Sequence, residues 1–155
     1  MGLADTPNRL QAHIRWAETD DAMCLASVAR ACLTPALSER DFKIILRHSR
    51  QILLAQFEGR PIGFLSFDYE KKRVLLRQIA VLPGYRRSAV GRSLIDRAVS
   101  HINPLAHNRL VVLVSEENLG AQLFFKAAGF EAVLPIQRDS DGNESYKMLR
   151  HLIPD

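Results

Sequence analysis

Apolar and polar positions change period several times along this chain, and each change marks an expected element. Residues 13–17 alternate as a first strand. Thr19 or Asp20 is the expected cap of a helix running to about Cys32. Ser38, with Asp41 three residues on, resembles a capping box for a second helix over residues 39–48. Residues 51–58 and 61–69 form a hairpin across Glu58-Gly59-Arg60, and residues 73–81 add another strand. Val90, Leu94, Ile95, Ala98 and Ile102 then recur at helical spacing. A strand over 109–115 follows, then a helix with Asn118 as its cap and Gly129 as a left-handed stop. Residues 130–137 and 144–152 make a last hairpin, turning at Asp139-Ser140-Asp141-Gly142-Asn143. Six or seven strands with helices on both faces give a mixed α/β sheet.

At 155 residues, 47% of them hydrophobic and 25% charged, the chain has the size and composition of one globular domain. Residues 1–12 read as a polar, loosely ordered, flexible tail and residues 13–155 as the domain. No run approaches the ~20 apolar residues of a membrane span, and no secretory signal is visible, so no membrane partner is expected. Cys24 and Cys32 give neither a disulfide framework nor metal-ligand spacing. They read as small buried hydrophobes in a cytoplasmic protein, with no metal. Met1-Gly2-Leu3-Ala4-Asp5-Thr6 formally fits a myristoylation pattern, but so short a pattern matches often by chance. The acidic turn at 139–143 lacks the full ligand series of a calcium loop and reads as a turn.

The net charge of +4 matters less than its placement. Between residues 71 and 97 stand eight basic side chains (Lys71, Lys72, Arg73, Arg77, Arg86, Arg87, Arg92, Arg97) against Asp96 alone. Nucleic acid is the obvious partner for such a stretch. However, only Tyr85 interleaves an aromatic ring with these charges, and no nucleic-acid motif is present. A phosphate-bearing small molecule accounts for the concentration more economically.

The loop Arg86-Arg87-Ser88-Ala89-Val90-Gly91-Arg92 enters the helix that begins near Val90. Unpaired N–H groups of a first helical turn, the helix dipole and the arginines together suit a phosphate or diphosphate. The loop lacks the three glycines of a dinucleotide fingerprint and the Gly-Lys-Ser/Thr of a Walker loop. It resembles the acetyl-CoA loop of the GCN5-related N-acetyltransferase (GNAT) superfamily, Gln/Arg-x-x-Gly-x-Gly/Ala, with Arg86 first, Ala89 in place of the first glycine, and Gly91 last. Ala89 departs from that pattern, and helical φ/ψ there would tolerate it. Asn118-Leu119-Gly120-Ala121-Gln122-Leu123-Phe124-Phe125-Lys126-Ala127-Ala128-Gly129-Phe130 resembles the superfamily's C-terminal motif, in the required order after one helix and one strand.

The resemblance implies a single-domain, mostly antiparallel mixed sheet of six to seven strands, flanked by about four helices, with splayed central strands. It implies acetyl-CoA as co-substrate, held by Ile79, Ala80 and Val81 along the pantetheine arm and by Arg86, Arg87, Ser88, Ala89, Val90, Gly91 and Arg92 at the diphosphate. Asn118, Phe125 and Lys126 contribute from the C-terminal motif. Within the superfamily, residues 31–42 are similar to a segment of the ribosomal-protein alanine N-acetyltransferases, with Leu37 in place of a tryptophan. The implied partner is a primary amine, either a peptide N-terminus or a small molecule, with the protein a monomer or homodimer. A non-catalytic acetyl-CoA binder is the alternative.

Where those alanine N-acetyltransferases carry a glutamate base and a tyrosine acid, this chain has Leu113 and Phe125. Neither transfers a proton. An α-amine titrates near ~7.7–8.0 and a lysine amine near ~10.4, so roughly a tenth of α-amines are already neutral at pH 7. A site without a strong base therefore favours an α-amine. Glu117, at the strand end on the same alternating face as Leu113, and Tyr146 on the last hairpin are the candidate catalytic groups; Glu116 is a further carboxylate at the strand end.

Overall fold

A computed structural model describes residues 11–48, 51–86, 88–138 and 142–152. The segment that formally fits a myristoylation pattern, Arg87, and residues 139–141 of the acidic turn lie outside these. The strands are β1 His13–Trp16, β2 Gln51–Phe57, β3 Arg60–Tyr69, β4 Val74–Val81, β5 Arg109–Ser115, β6 Glu131–Arg138 and β7 Glu144–His151. The helices are α1 Ala22–Cys32, α2 Glu39–Arg47, α3 Val90–Ser100 and α4 Leu119–Ala127. The seven strands form one sheet in the order β1-β2-β3-β4-β5-β7-β6. β1–β2, β2–β3, β5–β7 and β6–β7 are antiparallel. β4 and β5 are parallel, in register at Val74↔Leu110 and Leu75↔Val111.

The chain divides into two compact units. One holds β1, α1, α2, β2, β3 as far as Phe67, and Gln78–His101; the other holds Asp68–Arg77 and the chain from Ile102 onward. In the first, α1 and α2 pack on Ile52, Leu54, Phe64 and Ala80. Phe42 of α2 is fully buried and meets the Phe64 ring edge-on at 5.5 Å. The apolar stripes seen in the sequence close this core.

Local chemistry explains the element ends. Ser38 Oγ accepts the Asp41 N–H at 3.2 Å while Asp41 accepts the Ser38 N–H at 2.9 Å, closing the expected capping box. The hairpin turn places Glu58 at φ 52° and Gly59 at φ 78°, the paired left-handed geometry that matches strand twist. The first cap differs from expectation. Thr19–Asp21 is a single 3₁₀ turn and α1 begins after it at Ala22. Asp21 accepts the Glu18 N–H at 2.7 Å and pairs with Arg15 through both oxygens at 2.8 and 2.9 Å. A β1 arginine fixes the entry, which single-residue cap preference does not reveal.

Close strand approach needs one glycine. A Cβ on Gly63 of β3 would stand 2.8 Å from the Ala80 carbonyl oxygen, so glycine alone lets β4 sit where it does.

Candidate functional site

The loop after β4 is built from its own backbone. Pro83–Tyr85 forms a 3₁₀ turn, with the Tyr85 N–H donating to Leu82 at 2.8 Å. Ser88 Oγ donates to the Tyr85 carbonyl. Arg86 is exposed, and its Nε donates to the Val81 carbonyl at 2.9 Å, which ties the loop to the end of β4.

Ala89 is where the structure corrects the sequence reading. It is not helical but left-handed, at φ 68° and ψ 10°, and forms the N-cap of α3. Its carbonyl accepts the Ser93 N–H at 2.9 Å, so the chain turns sharply just before the first helical turn. That conformation costs an alanine ~1–2 kcal/mol and a glycine almost nothing. The departure from the family's glycine is therefore a strained one. Val90 and Gly91 are buried under the turn, and Arg92 is exposed with Asp96 at 3.7 Å.

Along β4, Ala80 is buried while Ile79 and Val81 are half-buried. The Val81 carbonyl already accepts from Arg86 and, at 3.4 Å, from Cys32 Sγ. Both cysteines are half-buried rather than fully enclosed, and Cys32 uses its weak S–H donor.

In the second unit, Asn118 Oδ1 accepts the Ala121 N–H at 3.0 Å and caps α4 as expected. Gly129, at φ 94°, takes the left-handed stop. The sequence reading missed Gln122, whose Nε2 donates to the carbonyls of Ser115 and Glu116 at 3.0 and 2.9 Å. This amide pins the turn between β5 and α4. Its position four residues after the cap was the available signal. Phe125 is buried, with the Phe124 and Phe130 rings at 5.1 and 5.2 Å. Lys126 is exposed.

Leu113 is 53% exposed, so β5 presents an apolar side chain at the position where the resemblance implies a base. The expected alternation to Glu117 fails because β5 ends at Ser115. Glu116 and Glu117 lie in the following turn, where Ser115 Oγ accepts the Glu117 N–H at 3.2 Å. Glu116 hydrogen-bonds to the Glu144 carboxylate, which raises the Glu116 pKa and lowers that of Glu144. Arg138, at 3.2 Å, also holds Glu144 ionised. Tyr146 sits opposite Val114 in the β5–β7 register. With Lys126, Gln122, Leu119, Leu123 and Met148 it lines a cavity of about 660 Å³.

Comparison with known proteins fits this arrangement. The chain is 29% identical over 98 residues to an uncharacterized N-acetyltransferase of Methanocaldococcus jannaschii; the match covers 58% of this chain and 43% of that protein. Its structure is similar to that of the Escherichia coli ribosomal-protein-S18-alanine N-acetyltransferase, with a TM-score of 0.79 at 21% identity, covering 94% of this chain and 96% of the other. It is also similar to the PaiA N-acetyltransferase of Thermoplasma acidophilum solved with coenzyme A: TM-score 0.76, 16% identity, 92% and 99% coverage. At these identities the structural likeness shows the fold. The family model of the acetyltransferase (GNAT) family matches residues 13–130. The chain belongs to that family.

Proposed function

We propose that this protein is an acetyl-CoA-dependent N-acetyltransferase, one domain over residues 13–155, acting on a primary amine and preferring a peptide α-amine. The observation that carries the reading is the strand–loop–helix from Val81 to Arg92. It brings the chain through a left-handed Ala89 into the first turn of α3, with Arg86 and Arg92, both exposed, on either side in sequence. Unpaired N–H groups, helix dipole and guanidinium charge fit a diphosphate. Coenzyme A in the PaiA structure supports this ligand.

In this reading Arg86, Arg87, Ser88, Ala89, Val90, Gly91 and Arg92 bind the diphosphate. Ile79 and Ala80 offer backbone groups to the pantetheine amides, as an added strand would. Val81 takes part through its N–H side, its carbonyl being engaged by Arg86 and Cys32. The resemblance of the α4 segment to the family's C-terminal motif gives Asn118, Phe125 and Lys126 a part in holding the coenzyme. When bound, acetyl-CoA supplies an activated acyl group on a thiol of pKa near ~8.5, a fair leaving group unaided. Leu113 contributes no base, so the acceptor must arrive neutral, which favours an α-amine. Glu117 and Tyr146 are the candidate side chains for moving a proton, with Glu116 a further carboxylate beside Glu117.

A second reading, a non-catalytic acetyl-CoA binder, is favoured by the exposed Leu113 and the buried Phe125. Thiol release from acetyl-CoA across peptides, amino acids, polyamines and aminoglycosides separates the two. Release with α-amine peptides supports the transferase. Tight binding without release on any amine supports the binder.

A further inference from the structure

α4 leaves two leucines uncovered, one helical turn apart. Leu119 and Leu123 are 63% and 59% exposed, while Phe125 of the same helix is buried. The two leucines wall the cavity of about 660 Å³ between α4, β6 and β7, together with the buried Phe130 and Met148. Met23 of α1 and Leu105 after α3 are also exposed, but each stands singly in sequence, a pattern that needs no partner. Two charges rim the same cavity. Lys126 and Glu131 are both exposed, and among the described residues neither has an ion-pair partner. Tyr146 and Met148, also in the cavity wall, stand across from Val114 and Val112. Leu113 stands across from Lys147 and so lies on the other side of the sheet. β6 is the last strand in the sheet order, which puts the cavity at an edge. Pairing of that edge with another strand is disfavoured. Pro135 lacks an N–H, and the β6–β7 register breaks between Val133 and Gln137. What this surface offers a partner is therefore its side chains.

We propose that this face is a homodimer interface, in which each copy of the chain sets Leu123 into the cavity of the other. A two-fold axis needs a self-complementary patch, where residue i meets j and j meets i. This patch has that composition: apolar knobs, a hole beside them, and one unpaired charge of each sign on the rim. An axis passing between Lys126 and Glu131 sets each lysine against the partner's Glu131. The same axis carries each Leu123 over the partner's cavity. A small ligand in the cavity would leave the outer faces of both leucines in water, whereas a second copy covers them. The Leu113 side of the sheet stays open. Tyr146 becomes an interface residue, which narrows the candidates for moving a proton to Glu117 and Glu116. The interface itself does not depend on the transferase reading.

Sedimentation velocity over a concentration series tests the interface, with circular dichroism checking that each variant is folded. The parent should form a dimer of micromolar or tighter affinity, the range of specific interfaces. Leu123→Arg should sediment as a monomer at every concentration, with Leu119→Arg as a second variant should the first misfold. Lys126→Glu and Glu131→Lys each set like charges across the axis and should weaken the dimer about tenfold. The double variant Lys126→Glu/Glu131→Lys restores opposite signs and should return to within about threefold of the parent's affinity. Because association is the readout, a part for Lys126 in holding coenzyme does not enter the result. A parent that stays monomeric throughout would overturn the proposal. A dimer indifferent to Leu123→Arg would also overturn it, since that dimer must use another surface. So would a double variant that associates no better than the two single variants.

Discussion

Arg86 Nε stands 2.9 Å from the Val81 carbonyl, joining the first residue of the proposed phosphate-binding loop to the last residue of β4. One guanidinium thus serves the strand end and the loop together. Arg86→Ala should weaken acetyl-CoA binding about 10- to 100-fold, the range of a lost charge-assisted hydrogen bond. Arg86→Lys keeps the charge without the fork geometry and should recover only part of it. Titration calorimetry of the three proteins with acetyl-CoA checks this; equal affinities would remove Arg86 from the site.

Ala89 is held at φ 68° by the turn into α3. Ala89→Gly relieves ~1–2 kcal/mol of left-handed strain and costs ~0.4–1 kcal/mol through the freer unfolded chain. The expected net gain is about 0.5–1 kcal/mol in urea unfolding, with acetyl-CoA affinity equal or higher. A destabilised variant would mean that the Ala89 methyl makes contacts worth more than the strain.

The features legible in the sequence are those whose signals are local. The Ser38–Asp41 capping box, the Asn118 cap, the Gly129 stop and the Glu58-Gly59 hairpin turn each depend on residues within a few positions, and all four form as expected. What the sequence hid depends on distant partners. Arg15 of β1 decides how α1 is entered, and the end of β5 at Ser115 decides that Glu117 leaves the strand alternation. Ala89 hid for another reason: alanine is a good helix former, so propensity argued for the wrong side of the helix boundary.

Asn118 joins β5 to α4, its Oδ1 receiving the Ala121 N–H at 3.0 Å. As a cap alone, Asn118→Ala should cost ~1 kcal/mol of stability. A role at the coenzyme arm adds a loss of acetyl-CoA affinity in protein that is still folded. Asn118→Asp separates the two contributions, since it keeps the cap and changes the charge. Unchanged affinity in both variants would leave Asn118 a purely structural residue.

The Arg15–Asp21 pair gives the fold an acid-side signature. The bound guanidinium holds the Asp21 carboxyl below its ordinary pKa, with the Glu18 N–H adding to the effect. A depressed folded-state pKa means stability that is fully present above the unfolded value near ~3.9 and lost as pH falls through the lower folded value. Because the Arg15 side chain is 35% exposed, the contribution is about 1 kcal/mol. Asp21→Asn should therefore lower stability at pH 7 and flatten its fall as pH drops below about 4. A mutant with the same acid limb as the parent would show that Asp21 contributes nothing there.

The central claim is acetyl transfer to a neutral amine without a strong side-chain base on β5. It is tested most directly by the pH dependence of kcat/KM for thiol release, measured with a peptide whose only free amine is its N-terminus and with a matched peptide whose only free amine is a lysine. The rate should rise with the acceptor's own titration, near ~7.7–8.0 for the first and near ~10.4 for the second, with the α-amine peptide faster at neutrality. A rising limb near pH 6 for both peptides, abolished by Glu117→Gln, would contradict the account by showing that a carboxylate is the base.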